Sequence, residues 1–355
     1  MTSPAPGETG IRPLVITGMH RSGTSLVASL FAGAGVHVGT RLIGASRGND
    51  RGHWEDLDFY EFHARTLEAN GVGNEGFSCA ADLIVPPTLR DEAVAVVAAK
   101  AAAGAPWGWK DPRTTLFLDF WQSLLPEAVF VFVFRSPWEV ADSLFRRGDE
   151  LFIRHPAFAV RVWHHYNRRI LDFCSAHSPR CLVMELTQVV ADPAAVFAAV
   201  RERLGVPVGE PPQRFEESLL RRDDGRQRRA IVAAFQPEAV EVYADLRRLA
   251  GVQESSTDEP SPRDAAAVAE LAILEWSRAA ATAQQVKAVT EQATAAAETR
   301  IVAEVAARTA DLERAKRAAE GRSRELQGRI DELALQVQRL ALGGSSAGAD
   351  GRHAA

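Results

Sequence analysis

The chain has 355 residues, a formal net charge of −5 and a hydrophobic share of 46%. A broad excess of Lys and Arg is typical of proteins that bind nucleic acid or membrane surfaces through charge, so the acidic balance argues against both classes. Any basic site must therefore be local, and the hydrophobic residues of the first two-thirds of the chain suffice for one sizeable core.

The cysteines and the N-terminus point to a reducing compartment. Cys79, Cys174 and Cys181 are an odd number and lack the paired spacing of a zinc site. The first residues are polar and contain no secretion signal, and no apolar run reaches the roughly 18 residues that a membrane span needs. We expect a soluble, cytoplasmic protein that neither crosses a membrane nor binds nucleic acid.

The first predicted elements are a strand, a loop and a helix. Leu14–Gly18 is a short apolar run that stops at a glycine, and Ser25–Gly33 has apolar residues at helical spacing. A further helix is predicted around Leu57–Asn70, and an alanine-rich helix over Asp91–Ala103.

Two more strands are predicted beyond these helices. Val129–Phe134 reads VFVFVF and is apolar at every position, as expected for a strand covered on both faces of a parallel sheet. A helix is predicted to begin at Pro137, Cys181–Glu185 is the next strand, and a last helix ends at Gly205. Strands that alternate with helices predict an α/β fold with a parallel sheet.

The composition changes at about Ser255. Residues 251–264 have linker character, and residues 265–342 are mostly Ala, Glu, Arg, Gln and Leu, which cannot build a globular core. We therefore predict a main domain at 13–250, followed by a long helix, with residues 1–12 and 343–355 disordered.

The long helix carries apolar residues at alternating three- and four-residue steps, a pattern that predicts a coiled-coil end. The seam consists of Val302, Val305, Thr309, Leu312, Lys316, Ala319, Ser323, Leu326, Ile330, Leu333, Val337 and Leu340. A solvated, partly frayed alanine-rich helix is the alternative. The seam offers a surface for self-association or for a partner protein.

The loop after the first strand reads Gly18-Met19-His20-Arg21-Ser22-Gly23-Thr24-Ser25. A loop that follows a strand and opens a helix presents backbone N–H groups to phosphate. Its glycine spacing matches the P-loop of nucleoside triphosphatases, but Thr24 occupies the position of the required lysine and the basic residue is Arg21. The loop predicts a phosphate site and disfavours a nucleoside triphosphatase.

Two further motifs are Trp109-Lys110-Asp111-Pro112-Arg113 and Arg135-Ser136-Pro137, the latter directly after the VFVFVF strand. Ligands gather beyond the carboxyl ends of parallel strands, and a guanidinium can hold a phosphate with two parallel hydrogen bonds. Arg135 is therefore a candidate phosphate ligand. For the motif Trp109–Arg113, the alternative to a functional role is that Asp111 and Arg113 form a structural ion pair.

Together, these three motifs resemble the bacterial and carbohydrate-type sulfotransferase family, over most of residues 10 to 210. The resemblance implies a P-loop-type fold and 3′-phosphoadenosine 5′-phosphosulfate (PAPS) as the sulfuryl donor. Arg21 would stabilise the bridging oxygen as the sulfuryl group leaves, and Lys110, in a turn near the donor, would support the transferred group. The implied donor site comprises Gly18, His20, Arg21, Ser22, Gly23, Thr24, Ser25, Arg135 and Ser143.

The same resemblance implies a general base, because the acceptor hydroxyl must lose its proton as it attacks. In the family, a glutamate that follows an aromatic residue at the start of a helix serves as this base, which matches Glu55, with His53 as the second candidate. The alternative is that Glu55 only caps or charges the helix N-terminus. No metal is expected, because a sulfuryl group carries less charge than a phosphoryl group and its transfer depends mainly on positioning.

The acceptor implied by the family is a hydroxylated molecule, with a glycan or a glycolipid as the first candidate. Two alternatives are an atypical P-loop kinase or nucleoside triphosphatase, and a non-catalytic scaffold whose C-terminal helix recruits partners. The presence of Arg21, Lys110, Arg135 and Ser143 argues against the scaffold.

Overall fold

The structure is a computed structural model that describes residues 12–44, 52–102, 104, 106–212, 226–252 and 265–343. The disorder predicted for 1–12 and 343–355 and the linker predicted at 251–264 lie almost wholly outside the described residues.

Four strands and twelve α-helices are present in the described ranges. The strands are β1 (Leu14–Thr17), β2 (Gly108–Lys110), β3 (Val129–Phe134) and β4 (Cys181–Glu185). The helices are α1 (Thr24–Gly33), α2 (Leu57–Ala69), α3 (Pro87–Ala101), α4 (Leu118–Leu124), α5 (Pro137–Arg147), α6 (Glu150–Arg154), α7 (Ala157–His177), α8 (Leu186–Ala191), α9 (Pro193–Leu204), α10 (Arg226–Phe235), α11 (Pro237–Leu249) and α12 (Ala265–Gly343). Short 3₁₀ helices cover Pro112–Phe117 and Ser178–Arg180.

The strands form one parallel sheet in the order β2-β1-β3-β4. Leu14 in β1 lies opposite Gly108 on one side and Val129 on the other. Because the chain visits β2 on one side of β1 and then crosses to β3 on the other, the strand order reverses at β1. Ligands of open parallel sheets bind beyond the carboxyl ends of the strands at such a point. The residues after Thr17 and after Phe134 therefore share the edge where a ligand is expected.

Strand β3 alternates between two hydrophobic layers, which explains why every residue of VFVFVF is apolar. Its three phenylalanines belong to a cluster with side chains of α2, α7 and α11, and its three valines to a cluster with α1 and α9. All six residues are fully buried, and burying a side chain of this size stabilises a fold by about 1.5–3 kcal/mol. The two layers hold the sheet rigidly, so the ends of β1 and β3 are well positioned for a site.

The α/β fold with a parallel sheet and a long C-terminal helix confirms the sequence prediction, with differences in detail. The strands at Val129–Phe134 and Cys181–Glu185 have the predicted bounds, while α3 begins at Pro87 rather than Asp91, since proline suits the first position of a helix. The placement of Lys110 in a turn is wrong, because this residue ends β2. A strand of three residues is too short for a periodic signal.

Helix α12 is continuous, but its first part belongs to a compact unit that ends at Gln284. There Ile273 is fully buried, and the Trp276 indole donates a hydrogen bond of 2.8 Å to Asp142 Oδ1 in α5. The ring of Trp276 also meets Phe145 edge-on, with centroids 5.2 Å apart. The start of α12 is therefore packed against the helix that carries Ser143.

The second unit begins at Gln285. Every described residue from 289 to 339 is exposed. In the described part of the chain, no helix is long and apolar enough to cross a membrane.

Candidate active site

The loop between β1 and α1 is shaped by two glycines. Gly18 has a φ of 145°, and a Cβ there would overlap the carbonyl oxygen of Val133 in β3. Gly23 has a φ of 92° and caps α1 without a side-chain hydrogen bond to the first turn. Both positions require glycine. The first N–H groups of α1, which have no partner within the helix, are therefore open to an anion.

Arg21 is held across the loop by a residue of another element. Its φ of 68° is in the left-handed region, which non-glycine residues seldom adopt. Its Nε donates a hydrogen bond of 2.9 Å to the Ser143 hydroxyl in α5. The structure thus brings together two residues of the expected donor site that are remote in the sequence.

Four arginines lie around this hydrogen bond and form what we call the arginine cluster: Arg21, Arg135, Arg146 and Arg147. Burial, together with the positive charges of Arg147, Arg146 and Arg135, lowers the pKa of Arg21 to about 10. The other three arginines each pair with a carboxylate: Arg135 with Glu139, Arg146 with Asp142 and Arg147 with Asp149. Guanidinium groups gathered in one place offer hydrogen bonds and positive charge to a multiply charged anion.

Arg135 follows β3 at the sheet edge, as predicted. Its carbonyl oxygen accepts a hydrogen bond of 3.0 Å from the Trp163 indole, and its guanidinium pairs with Glu139 at 3.0 Å. Ser143 lies in α5, the helix that also carries Glu139, and is 7% exposed. The backbone of Arg135 is fixed by Trp163, while its guanidinium has only one partly exposed carboxylate as ion-pair partner in the described structure.

Lys110 is buried at the end of β2 and links the loop to the motif around Glu55. Its ammonium donates to Ser25 Oγ at 3.1 Å, to the His53 carbonyl at 2.9 Å and to Glu55 Oε1 at 2.7 Å. These three bonds use the three N–H donors of an ammonium. Lys110 therefore fixes the position of Ser25 relative to Glu55.

Glu55 is 4% exposed and lies between two cations. Besides the bond from Lys110, its Oε2 accepts a hydrogen bond of 3.2 Å from Arg113. The residue that caps α2 is Asp56, whose side chain accepts from the Asp58 N–H. The prediction that Glu55 caps the helix is therefore wrong. The other half of that alternative, that Glu55 charges the helix N-terminus, stays a prediction.

Asp111 and Arg113 form the ion pair predicted as the alternative for this motif, with 3.0 Å between Arg113 Nη1 and Asp111 Oδ1, and both side chains are buried. Burial opposes the charge on Asp111, but Arg113 and then His63, whose Nδ1 lies 3.0 Å from Asp111 Oδ2, hold its pKa below the usual range. Arg113 also contacts Glu55 and the Asn74 carbonyl. The ion pair thus orients Arg113 toward Glu55.

A cavity of about 960 Å³ opens beside these residues. Its wall combines Glu55 and His53 with groups that the sequence analysis did not assign to an acceptor site: His20, Tyr60, Asn74, Glu75, Phe77, Arg113, Arg147 and Asp149. Arg113 lies over the Tyr60 ring, with its guanidinium carbon 4.6 Å from the centroid. The only available sequence signal for Arg147 was its position one turn after Ser143 on the same helix.

His20 belongs to the loop after β1, and its side chain forms part of the cavity wall. Its ring packs against Phe77 at 4.9 Å, and its Nε2 is buried with no hydrogen-bond partner among the described residues. Burial first, and then the charges of Arg113 and Arg147, lower its pKa well below the ordinary 6.5. The imidazole is therefore neutral at neutral pH.

His20 makes the stability of the fold depend on pH. Below pH 6.5 the unfolded chain binds a proton at this residue and the folded chain does not, so stability is lost as the pH falls. We expect His20→Gln to lessen the loss of unfolding free energy between pH 7.5 and 5.5, by at most about 1.4 kcal/mol, the limit set by the ordinary pKa of a histidine in the unfolded chain. Urea titration at the two pH values measures this difference. His155→Gln, at an exposed histidine, is the control. An equal pH dependence of wild type and His20→Gln contradicts the assignment.

Comparison with known proteins finds a match to the model of the sulfotransferase family over residues 13–210. A search of curated proteins finds no match. Among solved structures, sulfotransferase STF9 from Mycobacterium avium is 15% identical with a TM-score of 0.46, covering 72% of this chain and 79% of that chain. Sulfotransferase STF1 from Mycobacterium tuberculosis is 15% identical with a TM-score of 0.37, and the match covers 68% of this chain and 76% of that chain. The sulfotransferase domain of the olefin synthase from Synechococcus PCC 7002 is 18% identical with a TM-score of 0.34, covering 77% and 98%.

Proposed function

Because the chain belongs to the sulfotransferase family, we propose that it transfers a sulfuryl group from PAPS to a hydroxyl group of a carbohydrate. The arginine cluster is the observation that supports this donor. PAPS carries negative charge at both its 5′-phosphosulfate and its 3′-phosphate, and the guanidinium groups of the cluster can donate charge-assisted hydrogen bonds to such groups.

Two buried polar atoms also fit an anionic ligand at the loop. Ser22 Oγ and His20 Nε2 have no hydrogen-bond partner in the described structure, and leaving such atoms unsatisfied costs about 1–3 kcal/mol each. A ligand or water at the loop can satisfy them. In the described residues, no group of three or more His, Cys, Asp and Glu side chains could hold a metal ion.

In the proposed complex, the loop N–H groups, Thr24 and Ser25 bind the 5′-phosphosulfate, and Arg135 and Ser143 bind the 3′-phosphate. The Ser143 hydroxyl accepts a hydrogen bond from Arg21 and keeps its own proton to donate to a phosphate oxygen. Arg21 can thus face the 5′ end while Ser143 serves the 3′ end.

The reaction forms a bond between the acceptor oxygen and sulfur while the bond from sulfur to the 5′-phosphate oxygen breaks. Negative charge grows on the leaving phosphate, and Arg21 stabilises it through hydrogen bonds and charge. Lys110 holds Ser25 and Glu55 in fixed positions relative to each other.

Glu55 is our candidate for the base that takes the acceptor proton, with His53 second. Lys110 and Arg113 each donate to one oxygen of Glu55, and a carboxylate oxygen can accept more than one hydrogen bond. Glu55 therefore has an acceptor position left for a hydroxyl in the cavity, while the two cations keep the carboxylate oriented.

The cavity suits a polyhydroxylated acceptor. Its 960 Å³ is near the upper end of the range for small-molecule sites. Asn74, Glu75 and Asp149 offer hydrogen-bonding groups to sugar hydroxyls, and Tyr60 and Phe77 supply aromatic surface. All three cysteines are free, which fits the proposed cytoplasmic location.

The direct experiment is calorimetric titration with 3′-phosphoadenosine 5′-phosphate, the product nucleotide, followed by sulfate-transfer assays against a panel of glycans. We expect binding and transfer to at least one acceptor. Turnover of ATP and Mg²⁺ without binding of the product nucleotide would favour a kinase or nucleoside triphosphatase. Nucleotide binding without transfer to any acceptor would favour the scaffold.

Removing the 3′-phosphate ligands should weaken nucleotide binding. We expect Arg135→Ala and Ser143→Ala each to raise the dissociation constant of the product nucleotide by about 10-fold to 100-fold, because a hydrogen bond to a charged group contributes about 1.5–3 kcal/mol. Arg168→Ala, at an exposed arginine paired with Asp172, is the matched control. Unchanged affinity in both site variants would remove Arg135 and Ser143 from the donor site.

A further inference from the structure

The second unit of the chain exposes apolar residues at heptad spacing along one face of a helix, interrupted by Lys316 and Ser323. Val302, Val305, Leu312, Leu326, Ile330, Leu333 and Val337 are between 58% and 68% exposed. Ile273 and Ala280, in the first part of the same helix, are in contrast buried against the domain. A helix with a bare apolar stripe gains stability when a partner covers it.

The residue types along the seam favour two strands. In heptad notation, the a positions are Val302, Thr309, Lys316, Ser323, Ile330 and Val337, and the d positions are Val305, Leu312, Ala319, Leu326, Leu333 and Leu340. β-Branched residues at a with leucine at d favour parallel dimers, and a polar a residue fixes the register at a cost in stability. Three of the six a residues, Thr309, Lys316 and Ser323, are polar, and Lys316 is the charged one.

The flanking charges select the orientation of the pair. The charged g positions are all arginine (Arg308, Arg322 and Arg329), and the charged e positions are both glutamate (Glu313 and Glu320). In a parallel, in-register pair, g faces the next e of the other helix, so Arg308 meets Glu313 of a second copy. The other contacts between g and e, Ala315–Glu320, Arg322–Gln327 and Arg329–Ala334, set no like charges together. An antiparallel pair instead places g beside g and e beside e, so arginine lies near arginine and glutamate near glutamate. One contact between opposite charges and none between like charges favour a parallel pair with a second copy.

Two glycines are consistent with this pairing. Gly321 and Gly328 both fall at f, the position that faces away from the seam, and nothing lies within 4 Å of a Cβ placed there. Each glycine destabilises an isolated helix by about 1 kcal/mol relative to alanine. At f, the missing side chain removes no contact from the seam. Because the two glycines weaken the isolated helix, its stability depends more on pairing with a partner.

We propose that residues 302–340 form a parallel, in-register, two-stranded coiled coil with the same segment of a second copy of the chain. Burial of the seam residues stabilises the pair, and the contacts between g and e select its orientation.

Sedimentation equilibrium of the full chain tests the pairing. We expect a dimer of twice the 38.5 kDa of one chain at micromolar concentration, and a monomer for Ile330→Asp, which places a charge in the seam. Leu335→Asp introduces the same charge at f, where Leu335 is 54% exposed, and should remain dimeric. A monomeric wild type, a trimer, or a dimer that survives Ile330→Asp would overturn the proposal. Unchanged nucleotide affinity of Ile330→Asp confirms that its catalytic domain is folded.

Cysteine cross-linking tests the orientation. Val337→Cys in a Cys79→Ser background, which removes the exposed native thiol, should form an intermolecular disulfide on mild oxidation. Position 337 lies near one end of the paired segment, so it meets its own copy in a parallel, in-register pair but faces the other end of the segment in an antiparallel one. A chain that sediments as a dimer yet gives no such disulfide would overturn the parallel register.

Discussion

Replacing Arg21 with Asn is expected to lower the turnover number for sulfuryl transfer by about 10²-fold to 10³-fold, as removal of one donor to a developing negative charge does in other enzymes. Asn is the preferred substitution because it tolerates the left-handed backbone of residue 21, where φ is 68°. Affinity for the product nucleotide should weaken only moderately, because Arg135 and Ser143 still hold the 3′-phosphate. Steady-state kinetics and calorimetry measure the two effects separately.

Arg168→Asn provides the matched control for this change, since Arg168 is an exposed arginine in α7 that pairs with Asp172 at 3.1 Å. Its kinetic constants should equal those of the wild type. If Arg21→Asn also retains the wild-type turnover number, Arg21 does not stabilise the leaving group. A Michaelis constant that rises with an unchanged turnover number would assign Arg21 to binding alone.

Glu55→Gln is expected to lower the turnover number by about 10²-fold to 10⁴-fold, the range for removal of a general base. Gln cannot take the acceptor proton, although its carbonyl oxygen can still accept a hydrogen bond from Lys110 or Arg113. Because the donor contacts the loop rather than Glu55 in the proposed complex, nucleotide affinity should change little. Transfer kinetics at saturating donor and acceptor are the decisive measurement.

Loss of a buried carboxylate between two cations also threatens the fold, so thermal unfolding must accompany the kinetics. Glu61→Gln, at an exposed glutamate on α2, controls for the removal of negative charge nearby. If Glu55→Gln folds and keeps its turnover number while His53→Gln loses it, then His53 is the base.

The donor half of the site was largely predictable from the sequence. The loop follows β1, Arg135 follows β3, and Ser143 lies in the helix after β3. Their positions were predictable because the apolar runs of both strands are easily recognised in the sequence. The roles of these residues remain predictions, but the structure does bring Arg21 and Ser143 within hydrogen-bonding distance, at 2.9 Å. That contact follows from the neighbouring positions of β1 and β3 in the sheet.

The acceptor half was less predictable. Lys110 and Arg113, which belong to one motif, meet Glu55 in one buried ion-pair group. Glu55 comes from a remote segment, and no pattern along the chain reports a contact between remote side chains. Glu55 and Asp56 were also indistinguishable as helix caps in the sequence. Only the structure shows that Asp56 caps α2 and that Glu55 faces the cavity.

The hydrogen bond between Arg21 and Ser143 has a consequence for the design of inhibitors. It joins the two residues that the proposed donor would contact at its opposite ends. A fragment bound at one end of the donor site therefore alters the hydrogen bonding of the residue that contacts the opposite end. The binding free energies of two such fragments should then not simply add, because neighbouring groups that share a partner are thermodynamically coupled. A linked compound that contacts both residues without breaking their hydrogen bond would gain from a site that is already ordered before it binds.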